Sequence, residues 1–184
     1  MVQFLVGRGL EGATVLEIGG GVGAIGLELL KAGAERAVNL ELSGAYAGPA
    51  RELASEMGVD ERVDFRLVDL ATDPGAVDAA DFVILHRVVC CYPRADRLVA
   101  VAAEHARGAL VLSYPPRARW TRAFAAIVNA AMRVLRREYR TYMHPPRTFL
   151  GEAERRGLRS VFGATSWPWR IAGLERTPQV ASVA

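Results

Sequence analysis

The chain has few of the residues that build covalent or metal-held scaffolds. Its 184 residues include two cysteines, three histidines and a single lysine, Lys31. The two cysteines, Cys90 and Cys91, are neighbours. Adjacent side chains in an extended segment point to opposite sides, so a disulfide between them is not expected. Two reduced thiols suit a reducing compartment. No Cys, His, Asp or Glu spacing matches a metal motif, so no metal is expected. No apolar run approaches the roughly 18 residues of a membrane span. The opening MVQFLVGRGLEG has neither the basic leader nor the small-residue cleavage site of a secretory signal. The expectation is a cytoplasmic protein.

What is present suits one globular domain over residues 1–184, with 51% hydrophobic and 23% charged residues. The net charge of +3 is uneven: residues 117–159 hold eleven arginines against three glutamates, for +8, and the rest carries −5. With one lysine in the chain, this reads first as a general preference for arginine. The sharper reading is a basic region for an acidic ligand, RNA or a membrane surface.

Apolar runs alternate with helical patterns. Strands are predicted at 13–19, 37–42, 62–70, 81–89 and 108–115, and helices at 22–33, 46–57 and 93–105. That alternation implies an α/β fold: a doubly wound, mostly parallel sheet with helices on both faces. Its ligands bind beyond the carboxyl ends of the strands. After residue 115 the pattern changes. A helix over 118–138 lines up Trp120, Phe124, Ile127, Val128, Ala131 and Leu135 on one face. An extended stretch over 139–147, a helix over 148–158 and two strands at 158–164 and 169–176 follow, the last two as a C-terminal antiparallel hairpin on the sheet edge.

The stretch VLEIGGGVGAIG, residues 15–26, can be read in two registers. Gly19, Gly21 and Ala24 fit a dinucleotide fingerprint, as do Gly21, Gly23 and Gly26, and Glu41 lies about twenty residues on, where a ribose-binding acid belongs. The same letters also place Glu17 ahead of Gly19, Gly21 and Gly23 at alternate positions. A third acid, Asp69, follows the third strand, where a dinucleotide enzyme has no general need for one.

This arrangement over residues 13–114 resembles the class I S-adenosylmethionine-dependent methyltransferase family. The resemblance implies a Rossmann-like, seven-stranded sheet with S-adenosyl-L-methionine as cofactor. Gly19, Gly20, Gly21 and Gly23 would let the backbone approach the cofactor's amino acid and ribose, since a Cβ would intrude. Glu17 would order the loop and meet the ammonium. Glu41, beside Leu42, would accept both ribose hydroxyls, and Asp69, beside Leu70, would accept from the adenine amine.

In this family the methyl group faces the loop after the fourth strand, here LHRVVCCYP over 85–93. His86, Arg87, Cys91 and Tyr92 are therefore candidates. His86 and Arg87 could contact the cofactor, and His86 or Tyr92 could assist catalysis. CYP at 91–93, LVLSYP at 110–115 and YMH at 142–144 are similar to the magnesium-protoporphyrin O-methyltransferase branch. That branch carries a histidine before Tyr-Pro, whereas this chain has Cys91. His144 is then the candidate base from the opposite side of the cleft. Residues 116–147 would form a substrate cap, with Trp120 and Phe124 facing a planar or lipophilic substrate; the acceptor expected is a small molecule, planar or carboxylate-bearing.

Only about a dozen residues precede the first strand, whereas family members commonly carry N-terminal helices over the substrate. Three expectations stay open: an open site, closure by a homodimer or partner subunit, or a truncated form of the chain. Other readings are a catalytically weak cofactor-binding partner subunit, an NAD-linked oxidoreductase, and RNA methylation. The last is disfavoured because no aromatic-basic nucleic-acid motif is present.

Overall fold

The computed structural model describes residues 1–177. In chain order its elements are α1 (Val2–Val6), β1 (Thr14–Ile18), α2 (Ala24–Lys31), β2 (Arg36–Glu41), α3 (Ala47–Glu56), β3 (Val63–Leu67), β4 (Ala80–Leu85), α4 (Ala95–His105), β5 (Ala106–Tyr114), α5 (Arg119–Val134), α6 (Pro146–Arg155), β6 (Leu158–Ser166) and β7 (Trp169–Arg176).

The strands form one seven-stranded sheet in the order β3-β2-β1-β4-β5-β7-β6. β1 to β5 run parallel, while β7 is antiparallel to both β5 and β6. This is the doubly wound sheet with a terminal hairpin that the alternation predicts. The strand order reverses between β1 and β4, which opens a crevice at their carboxyl ends.

Each face of the sheet buries its own apolar layer. On one face α4 and α6 set Leu98, Val99, Ala102, Phe149 and Ala153 against β4 and β5. On the other, α1 and α2 contribute Phe4, Leu5, Leu27 and Leu30. α1 is short, yet it is well anchored. Phe4 packs on Phe162 with ring centroids 4.9 Å apart, and it sits where a Cβ on Gly173 would come within 2.5 Å of its ring. Burying one such side chain contributes roughly 1.5–3 kcal/mol.

Polar groups tie the opposite end of the sheet. Asp81 accepts from both Thr14 N–H and Thr14 Oγ1, each at 2.8 Å, which joins the starts of β1 and β4. Arg176 donates to the Ala103 and Ala106 carbonyls at 2.6 and 2.8 Å. It thereby caps the carboxyl end of α4, where unpaired carbonyls need donors.

Several boundaries differ from expectation. β3 stops at Leu67 rather than residue 70, and β4 stops at Leu85 rather than 89. α4 begins at Ala95, so Pro93 precedes the helix instead of opening it. α6 begins at Pro146, because a proline fits the first helical position without losing a needed donor.

Candidate functional site

The carboxyl end of β1 runs into a loop that only glycine can follow. Gly19, Gly21 and Gly23 have φ of 64°, 60° and 76°, the left-handed region, and Gly23 starts α2. Gly20 is constrained differently: a Cβ there would lie 2.5 Å from Asn39 Oδ1 and 2.6 Å from Glu17 Cγ. The loop therefore rests on two buried polar side chains, Glu17 at 2% and Asn39 at 3% exposure.

Glu17 accepts from Gly26 N–H at 2.7 Å. Burial is the main influence on its carboxyl and pushes its pKa up to about 7 against the backbone donors. Asn39 pairs with Glu17 across β1 and β2 and donates to Gly21 O at 3.0 Å, while its Oδ1 has no partner. Asn39 is not among the residues that strand-end spacing singles out. Its signal was a polar residue inside AVNLEL, two positions before Glu41 and so on the same side of the strand.

Glu41 ends β2. Its Oε1 accepts from Gly21 N–H and its Oε2 from Leu42 N–H, both at 2.8 Å, which fixes the carboxylate against the glycine loop. Asp69 lies two residues beyond β3, where it accepts from Ala71 N–H at 3.1 Å. Tyr92 reaches across from the loop after β4 and donates to the same carboxylate at 3.0 Å. Burial and that bond raise the Tyr92 phenol to about 12, so it stays protonated. Gly19, Glu41, Leu42, Asp69, Leu70, Val88 and Tyr92 bound a hollow of about 20 Å³.

The loop after β4 carries strain at its start. Arg87 adopts φ of 58°, uncommon for a residue with a side chain, and its guanidinium sits 5.2 Å from the Trp169 ring centroid. Ser113, fully buried at the end of β5, accepts from Arg87 N–H at 2.9 Å and meets His86 Nδ1 at 3.0 Å. Burial, then the Arg87 charge, lowers the His86 pKa, so the ring is neutral near pH 7. A hollow of about 400 Å³ opens beside these groups, with Ile25, His86, Arg87, Ser113 and Trp169 in its lining. Ser113 is a second residue that the sequence reading missed. Its signal was one hydroxyl at the end of an otherwise apolar strand.

His144 does not lie free across the cleft. Its Nε2 donates to Tyr92 O at 2.9 Å, and Tyr142 N–H donates to Cys90 O at 2.7 Å. These bonds fasten the segment 139–144 to the loop after β4. The thiols also differ from expectation. Both are free, but residues 88–91 form a turn rather than extended strand, so the sulfurs of Cys90 and Cys91 lie side by side, 3.7 Å apart, instead of on opposite sides.

α5 buries only Thr121 and Ala125. Its apolar side is open, with Trp120, Phe124 and Ile127 at 50%, 62% and 68% exposure. Trp120 stacks on Trp167 of the β6–β7 turn, with centroids 6.2 Å apart. Among the described residues, no three His, Cys, Asp or Glu side chains are grouped to hold a metal ion, and no helix is long and apolar enough to cross a membrane.

Sheet order, hairpin and glycine loop together define the fold of the class I S-adenosylmethionine-dependent methyltransferases. Solved structures share it. One is the magnesium protoporphyrin IX methyltransferase of Synechocystis PCC 6803, solved with bound S-adenosylhomocysteine. It is 23% identical, matched over 96% of this chain and 80% of its own, with a TM-score of 0.77. An O-methyltransferase family protein from Burkholderia thailandensis is 21% identical over 96% of this chain and 55% of its own, with a TM-score of 0.76. The [4+2]-cyclase SpnF also shares the fold, at 14% identity over 95% of this chain and 80% of its own, with a TM-score of 0.69. By sequence, the ribosomal protein L11 methyltransferase of Pectobacterium carotovorum is 34% identical over 77 residues, which span 39% of this chain and only 26% of that protein. No family model matches the chain.

Proposed function

We propose that this protein transfers the methyl group of S-adenosyl-L-methionine to a small-molecule acceptor. The observation that carries this reading is the placement of Glu17, Glu41 and Asp69 around one left-handed glycine loop, at the ends of β1, β2 and β3. The rival dinucleotide reading needs free amides at the start of the helix after β1, to receive a pyrophosphate. Here Glu17 already accepts from Gly26 N–H, so a buried acid fills that role from within.

The donor set suits the cofactor. Glu41 is held where a carboxylate can accept from ribose hydroxyls, and Asp69 where one can accept from the adenine amine. Gly19 and Gly21 allow close backbone approach, and Glu17 orders the loop from beneath. Tyr92 and Val88 line the hollow of about 20 Å³ beside Asp69, with the Tyr92 hydroxyl on the Asp69 carboxylate. When bound, the sulfonium supplies an electrophilic methyl group for in-line displacement. The chain's own task is then mainly orientation.

His86 suits a neutral positioning role. Ser113 Oγ accepts from Arg87 N–H and bonds His86 Nδ1, which holds the neutral ring in the lining of the 400 Å³ hollow. Residues 116–147 form the substrate cap. The Trp120–Trp167 stack and the Arg87–Trp169 pair favour a planar acceptor with a carboxylate. The resemblance of a cyclase to the same fold makes the reaction itself the point to test. Incubation with methyl-labelled S-adenosylmethionine and a panel of aromatic carboxylic acids should give labelled product. Tight cofactor binding without transfer to any acceptor would instead favour a cofactor-binding partner subunit.

A further inference from the structure

The turn after β4 holds two thiols that the methyl-transfer reading does not use. Cys91 N–H donates to Val88 O at 2.8 Å, and both sulfurs are directed at the Arg87 carbonyl at 3.6 Å. Cys90 is buried, whereas Cys91 is partly exposed and meets Tyr139 Oη at 3.3 Å. The same turn carries the segment 139–144 through the Cys90 and Tyr92 carbonyls.

We propose that Cys90 and Cys91 form a thiol–disulfide switch: exchange with a low-molecular-weight disulfide bonds the two sulfurs to each other and releases the segment 139–144 from the turn. The Cys91 thiolate attacks one sulfur of the small disulfide, whose S–S bond breaks and expels one thiolate. Cys90 then loses its proton to solvent and attacks Cys91 Sγ, expelling the second thiolate. The cysteine pair loses two electrons and the small disulfide gains them.

The order of attack follows from the geometry. Cys91 is the accessible thiol, and the hydrogen bond from Cys90 holds it down at about 6, with Tyr139 assisting. The same bond and burial push Cys90 well up, so it keeps its proton until Cys91 is capped and that bond is lost, and only then attacks. The sulfurs must close from 3.7 Å to the roughly 2.05 Å of a disulfide while the neighbouring Cα atoms stay about 3.8 Å apart, so the strain falls on the backbone between them and the ring closes only if the turn moves. The carbonyls that move with it are those that hold Tyr142 and His144.

The test is peptide mapping of the folded chain after exposure to oxidised glutathione. Both cysteines fall in one tryptic peptide, residues 88–94. The expected product is that peptide lacking two hydrogens. Cys90→Ser should accumulate a glutathione adduct on Cys91, and Cys91→Ser should stay unmodified. In the oxidised wild type, amide exchange at Tyr142 should quicken by at least about tenfold, while Leu110 in β5 stays protected and shows that the domain is folded. A lasting adduct on the wild type, a bridge between two chains, no reaction, or a closed pair with unchanged Tyr142 exchange would each overturn the switch. The experiment needs no cofactor and is independent of the methyl-transfer assignment.

Discussion

Glu17→Gln isolates the buried acid beneath the glycine loop. The carboxyl has an ordinary value of 4.5 and is pushed to about 7 in the fold, chiefly by burial. Between those values the native state keeps a proton that the unfolded chain has released. The native state then binds more protons, so unfolding free energy falls as pH rises through this window. At about 1.4 kcal/mol per unit, the loss approaches roughly 3 kcal/mol once pH passes the folded value. Glutamine keeps the shape and can still accept from Gly26 N–H, but it never ionises. A neutral carboxyl also offers the hydrogen that Asn39 Oδ1 lacks, since both side chains crowd the same point below Gly20.

Urea unfolding of both proteins between pH 5 and 8.5 measures the difference, and groups common to both cancel. The two curves should lie within about 1 kcal/mol of each other at pH 5, and Glu17→Gln should be the more stable at pH 8.5 by up to about 3 kcal/mol. A Glu17→Gln protein less stable than wild type at pH 8.5 would refute the reasoning. It would mean that the ionised acid is held favourably by α2.

Three further outcomes follow from the same geometry. Gly20→Ala pushes a methyl group into Asn39 and Glu17, so it should cost about 1–3 kcal/mol in thermal unfolding and weaken S-adenosylhomocysteine binding by more than about tenfold. Tyr92→Phe removes the hydroxyl bound to Asp69; titration should show cofactor affinity equal or higher, whereas Asp69→Ala lowers it in a folded protein. A weaker Tyr92→Phe would make Tyr92 a direct binding group. Ser113→Ala unties His86 and Arg87 N–H, so in steady-state assays kcat should fall by about tenfold, one hydrogen bond's worth, with cofactor affinity unchanged.

The fold was legible because hydrophobic periodicity and strand-end punctuation agree along residues 13–114. The hairpin was legible because its strands are set off by a turn at TSWPW. The ends of β3 and β4 were less so. Val88 and Val89 are apolar because Val88 packs on Gly19 and Val89 enters the core, not because they extend a strand. A buried turn and a buried strand share that composition. The same misreading placed Cys90 and Cys91 on opposite sides. Glu17, Glu41 and Asp69 could be singled out because strand ends are where such sheets bind ligands. Asn39 and Ser113 act through contacts between distant strands, which one-dimensional spacing does not reveal. The apolar stripe of α5 was visible, but periodicity cannot say whether a stripe meets a core or solvent, and Trp120 and Phe124 meet solvent.

Calorimetry of the folded chain with S-adenosylhomocysteine and, separately, with NADH tests the central claim most directly. Saturable binding of S-adenosylhomocysteine near one per chain, with no heat from NADH, is the expected result. Binding of NADH alone would contradict the account and return the glycine loop to a pyrophosphate.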